Sequence, residues 1–362
     1  MTKNIQLPPR NDYTDEKGRL YFYDNAKFIL IFFVVLAHAI SPIKSTAEYL
    51  QTAWTVINTL HMPCLIFISG FFAKRYIRPG KGINVQRIFS YVLIYSTAQL
   101  SISMFERYVL KVPFSLSFLS ARTSLWFLQC LIVWYLFIPV LDKFNPKLVL
   151  PATFIFGLLI GYDNSAANVL ALSRVFVHLP FFMLGYYCQQ NTVEKAFTAK
   201  VRIPALALSA AIILLVYKFN DYIPSKIITC NNAYSKINYN GIVLDKFIQG
   251  GPRALFYICA LILIVGFFSV VPRKKTFFTR FGSKTLAVYI LHRFLYLAML
   301  EYNWGNYFKN TWGAAALFAI AVALTFILST KPFTYVFDKM QSVKADKLLK
   351  KQPEGEQTYA TK

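Results

Sequence analysis

The chain has 362 residues, 56% of them hydrophobic, with a mean hydropathy of +0.44 and a formal net charge of +23. A water-soluble domain of this length cannot bury so much apolar surface, which makes the bilayer its natural solvent. The charge does not imply nucleic-acid binding, which needs it concentrated in a polar, foldable domain; here the basic residues lie mostly in short gaps between apolar runs, as membrane topology requires.

A polar basic arm occupies residues 1–20. The first apolar run begins near Phe28 and has no small-residue cleavage site behind it, so it is expected to stay as a membrane anchor. Ten runs follow one another near 28–42, 54–72, 88–105, 125–141, 148–162, 175–188, 203–217, 253–270, 285–300 and 314–329. Several fall short of the ~20 residues that usually span a bilayer. Their apolar faces are continuous rather than alternating, which favours helices over a barrel. The expected fold is an all-α polytopic membrane bundle of about ten transmembrane helices over residues 21–333, followed by a basic tail over 334–362.

Charge orients the bundle. With both termini cytoplasmic, the inside segments collect Lys3, Arg10, Lys17, Arg19 and Lys27, then Lys74, Arg75, Arg78, Lys81 and Arg87, then Arg273, Lys274, Lys275, Arg280 and Lys284. The longest outside segment, about Lys218 to Arg253, is the exception, because it also carries several basic residues. The tail KPFTYVFDKMQSVKADKLLKK reads as a juxtamembrane helix suited to anionic lipid. No internal repeat and no related pair of broken helices stands out, which weakens a transporter assignment.

The first helix contains YDNAKFILIFFVVLAHAI, Tyr23–Ile40, an apolar run carrying an acid, a lysine and a histidine. At ~100° per residue, Lys27 and His38 return to nearly the same face, with Asp24 one turn below Lys27. The stripe separates Lys27 from His38 by ~16 Å along the axis. Lys27 at the cytoplasmic edge can snorkel and pair with Asp24. His38 lies in the outer half, where an ionisable side chain usually faces the bundle interior or a wet cavity.

The second run repeats the pattern, with His61 followed by Pro63, Ser69 and Gly70. Running inward, it brings His61 to a depth comparable with His38, as two histidines of one polar site or as a helix–helix hydrogen bond would require. Arg174 and His178 are four apart and share a face. His292 and Arg293 lie in LAVYILHRFL, so all four histidines sit in apolar runs and none in a loop. Arg122 and Trp126 mark the outer end of the fourth run, where an aromatic belt is the ordinary explanation. The five cysteines lack metal-ligand spacing and four lie in apolar runs, which fits core packing. HExxH, GxxxxGK[ST], CxxC and GxSxG are all absent, and no metal site is expected.

Five stretches in this order and spacing carry a resemblance: RLYFYDNAKFILIFFVVLAHAI, HMPCLIFISGFF, SLWFLQCLIVW, RVFVHLPFFMLGYY and LAVYILH. Over about Arg19 to Phe333 the chain resembles the acyltransferase family 3 membrane proteins, close to the group related to fucose 4-O-acetylases. That family carries an arginine, ten residues and a histidine on its first helix. His38 matches the histidine; Lys27 stands at the arginine, keeping the charge but losing the planar five-donor fork. The resemblance implies transfer of an acyl group, commonly acetyl from acetyl-coenzyme A, to a sugar hydroxyl of an envelope or secreted glycan. No cofactor would stay bound, the acyl-coenzyme A being a substrate. Other envelope-glycan synthesis proteins are possible partners, and the plasma membrane is the expected location.

On that basis Lys27, Lys74, Arg75 and Arg280 are the expected holders of the coenzyme A phosphates at a basic cytoplasmic mouth. Asp24, Lys27 and His38 form the catalytic stripe. His38 would act as general base on the sugar hydroxyl or accept the acyl group itself. His61, Arg174 and His292 are supporting groups that orient His38 or stabilise the oxyanion. A secondary transporter of an envelope precursor also suits ten spans with intramembrane charges, and a scaffold for glycan synthesis is a third possibility.

Overall fold

The computed structural model describes residues 13–15, 18–76, 83–113, 116–120, 125–166, 169–239, 244–245 and 248–345. Arg122, Arg78, Lys81, Lys3, Arg10 and Lys17 lie outside the described residues. Among the described residues there are thirteen α-helices and no strand. They are α1 (Tyr21–Ile40), α2 (Glu48–Ala73), α3 (Val85–Tyr108), α4 (Trp126–Leu141), α5 (Pro146–Leu159), α6 (Leu172–Tyr187) and the short α7 (Gln190–Glu194). Then come α8 (Ala199–Lys218), the short α9 (Ser225–Thr229), α10 (Gly251–Val270), α11 (Thr285–Glu301), α12 (Thr311–Leu328) and α13 (Lys331–Ser342).

Each of the ten apolar runs coincides with one helix, and the all-α polytopic architecture stands. Six helices, α1, α2, α3, α8, α10 and α12, are long and apolar enough to cross a membrane. The other four that fall on apolar runs, α4, α5, α6 and α11, are shorter. The outermost helices show where lipid belongs: α8 buries only Ala205, while Leu214 and Leu215 stand exposed. Such a surface is stable only against hydrocarbon.

The centre of the bundle is α1, which packs on α2, α11 and α12. Its N-terminal end is fixed by Asn25, which is wholly buried. The Asn25 amide nitrogen donates to the carbonyls of Pro272 (2.8 Å) and Lys274 (2.9 Å). Its amide oxygen accepts from the hydroxyls of Thr276 (3.0 Å) and Thr279 (2.7 Å). One side chain thus holds the link between α10 and α11 against the start of α1.

The α2–α6 pair approaches backbone to backbone. A side chain on Gly70 would strike the Phe182 carbonyl, and one on Gly185 would strike the Phe67 carbonyl. Small residues let membrane helices meet this closely, because packing rather than water exclusion holds them together. The described part of the tail is docked: α13 packs on α3 and α11, and Lys284 pairs with Asp338 at 2.5 Å.

At the His38 end of the bundle, the end of α9 and the residues after it are held by their main chain. Arg174 Nε donates to the Thr229 carbonyl (3.0 Å), Ser173 Oγ to that of Cys230 (3.0 Å), and Arg253 Nη2 to that of Asn232 (3.2 Å). Cys230 is buried in the left-handed region at φ 54°, turning the chain at the end of α9.

Candidate active site

A cavity of about 340 Å³ opens between α1, α2, α4, α6 and α11, and α9 roofs it. His38 of α1, His61 of α2, Trp126 of α4, Arg174 and His178 of α6, and Arg293 of α11 all line it. A neighbouring cavity of about 330 Å³ is lined by Ile212, Leu255 and Leu263 among others and carries no histidine or charged side chain. The side chains capable of acid–base chemistry line the polar one of the two.

His38 sits in the last turn of α1. Its Nδ1 lies 3.4 Å from Nη1 of Arg293, which is only 1% exposed. Arginine can only donate, so Nδ1 is the accepting nitrogen in this contact, and a neutral ring then carries its hydrogen on Nε2. The rings of His292 and Tyr296 flank His38, with centroids at 5.2 Å and 5.0 Å.

His61 and His292 are fixed in the opposite sense. Nδ1 of His61 lies 2.6 Å from the Ile57 carbonyl, and Nδ1 of His292 lies 2.8 Å from the Val288 carbonyl. A carbonyl only accepts, so both Nδ1 atoms carry hydrogen and both Nε2 atoms are left as acceptors. His292 Nε2 is buried with no partner among the described residues.

Arg174 lies with its guanidinium 4.8 Å from the Trp126 ring, and Trp126 stacks on His178 at 5.2 Å. The structure therefore brings His38, His61 and Arg174 into one cavity. His292 stands behind His38, where both line a small void of about 40 Å³. Arg293, His178, Tyr289 and Tyr296 complete the lining. Sequence reasoning noted Arg293 and His178 as polar intruders but gave neither a role.

Asp24 and Lys27 occupy the far end of α1. Asp24 Oδ1 pairs with Lys27 at 2.9 Å and with Arg19 at 2.5 Å, and its side chain is 8% exposed. Between Lys27 and His38 on the same stripe lie Ile31 and Val34, each 2% exposed. Lys27 and Arg75 share the Phe72 ring, at 5.8 Å and 5.0 Å. Lys74 turns away to the Cys188 carbonyl and the Phe71 ring. Arg280 lies over Phe281, whose ring meets Phe28 of α1. Among the described residues, no group of three or more His, Cys, Asp or Glu could hold a metal ion.

The helical bundle thus holds a polar cavity in which histidines of assigned tautomer stand beside two arginines. The family model described as an acyltransferase domain matches residues 20–330, and the chain belongs to acyltransferase family 3. It is a membrane acyltransferase. No curated protein and no solved structure matches it.

Proposed function

We propose that the protein is an O-acyltransferase of the plasma membrane, moving acetyl from acetyl-coenzyme A to a hydroxyl of a cell-envelope or secreted glycan. The observation that carries this reading is His38 at the cavity wall with Arg293 on its Nδ1. The sugar hydroxyl takes the place of Arg293 at Nδ1. Its oxygen bonds to the thioester carbonyl carbon as Nδ1 takes its proton. Arg293, freed from the ring, faces the oxygen that becomes negative. The carbon–sulfur bond then breaks, the coenzyme A thiolate leaves, and His38 returns the proton to it.

The donor enters from the basic end. Lys27 and Arg75 at the Phe72 ring, with Lys74 and Arg280 nearby on either side of α1, offer charge for the coenzyme A phosphates. For the pantetheine arm to reach His38 along the stripe, Ile31 and Val34 swing aside. Placement in the fucose 4-O-acetylase-like group rests on Lys27, where the wider family has arginine. Proteins of envelope-glycan synthesis would supply the acceptor.

The test is mild-alkali-releasable acetate in envelope glycans of a deletion strain complemented with wild type or His38→Ala at matched membrane levels. Wild type restores acetate and His38→Ala stays at the deletion level. Equal restoration by both would remove His38 from the chemistry.

A further inference from the structure

Two guanidiniums line the cavity and no carboxylate does. Among the described residues, neither Arg174 nor Arg293 has a carboxylate within ion-pair distance. Guanidiniums lining a cavity without a carboxylate make it electropositive and draw an anion to it. The transition state of acyl transfer supplies one negative charge, on the thioester oxygen beside His38, and Arg293 is placed for it. Arg174 is left over. The phosphates of coenzyme A cannot be its partner, since Lys27 marks their end of α1, ~16 Å from His38.

Arg174 is also built to hold something. Nε is tied to the Thr229 carbonyl and the plane rests on Trp126. Nη1 and Nη2 make no bond to a described residue. An anchored guanidinium with its end-on pair of nitrogens open matches the two oxygens of a carboxylate or phosphate. The rim adds to the charge. Lys44 Nζ lies 3.5 Å from the ring of Trp54, which lines the cavity, and 2.7 Å from Ser225 Oγ at the start of α9. The segment from 218 to 239 carries Lys218, Lys226 and Lys236 against Asp221. Basic residues there run against the usual charge bias of outside segments, and an anionic acceptor gives them a purpose.

We infer that the acceptor is an acidic glycan, whose carboxylate or phosphate is held by Arg174 while a neighbouring hydroxyl meets His38. The inference rests on the acyl-transfer reading and names its substrate class.

The test uses the full chain in lipid nanodiscs, labelled acetyl-coenzyme A, and envelope glycan extracted from the deletion strain. The glycan is offered untreated, after carboxyl reduction of its uronic acids, and after removal of phosphate with hydrofluoric acid. Untreated glycan takes up label, and one of the two treatments lowers uptake at least about tenfold, identifying the acid. Arg174→Gln raises the KM for untreated glycan by about the same factor, with little change in the KM for acetyl-coenzyme A. Label that survives both treatments overturns the inference alone. Neutralised glycan that accepts succinyl from succinyl-coenzyme A better than acetyl moves the acid to the donor and also overturns it. Untreated glycan that takes no label removes the acyl-transfer reading, and the inference with it.

Discussion

Arg293 of α11 sets a guanidinium nitrogen 3.4 Å from Nδ1 of His38 at the end of α1, joining residues 255 positions apart. A guanidinium can only donate, so it leaves Nδ1 as the accepting nitrogen of a neutral ring and can itself turn to an oxygen that displaces it. Replacing Arg293 by Met therefore removes both a tautomer guide and an oxyanion donor. The expected loss in kcat is on the order of 10²–10³. Arg293→Lys should recover only part of it, since one ammonium cannot reproduce a planar pair of donors. Steady-state kinetics on purified protein, with both KM values recorded, check this.

The Arg19–Asp24–Lys27 group tests the donor end. Lys27→Arg keeps the pair with Asp24 and restores the family's usual residue, so its KM for acetyl-coenzyme A should stay within about twofold of wild type. Lys27→Met should raise that KM while leaving kcat nearly unchanged, the sign of lost ground-state binding. A fall in kcat with unchanged KM would place Lys27 elsewhere in the mechanism.

Asn25 makes four hydrogen bonds from a wholly buried side chain. Asn25→Ala takes the side-chain donor from two carbonyls and leaves the Thr276 and Thr279 hydroxyls to each other, at a cost of about 2–4 kcal/mol. Asn25→Asp should be no better, because a carboxylate cannot donate to the Pro272 and Lys274 carbonyls. Thermal unfolding in detergent should show both variants clearly below wild type.

Gly70 and Gly185 test the α2–α6 approach. Either one changed to Val pushes a side chain into a facing backbone carbonyl that cannot move alone. Because α2 carries His61 and α6 carries Arg174, the expected result is loss of both folding yield and activity. Gly251→Ala is the control, since nothing lies within 4 Å of a side chain there.

Much of this was legible in the sequence. Ten apolar runs became ten helices because length and hydropathy are local properties. His38, His61 and Arg174 met because helix direction, set by flanking charge, fixes their depth. The choice between His292 and Arg293 was not legible. Neighbours on a helix point about 100° apart, and which one faces the cavity depends on how α11 rolls against α1 and α12. Arg19 was also missed as a partner of Asp24, because it lies before the helix, where periodicity gives no direction. Asn25 looked like an ordinary polar residue at a helix start; its partners lie about 250 positions away.

Arg174, Ser173 and Arg253 grip the roof of the cavity through the carbonyls of Thr229, Cys230 and Asn232. A main-chain carbonyl is the same whichever residue carries it. The roof can therefore change its side chains at Thr229 and Asn232 without releasing the arginine beneath it. Variation at Thr229, which lines the cavity, would then change what enters while the histidines and arginines stay as they are, so the cover behaves as an exchangeable part of the enzyme.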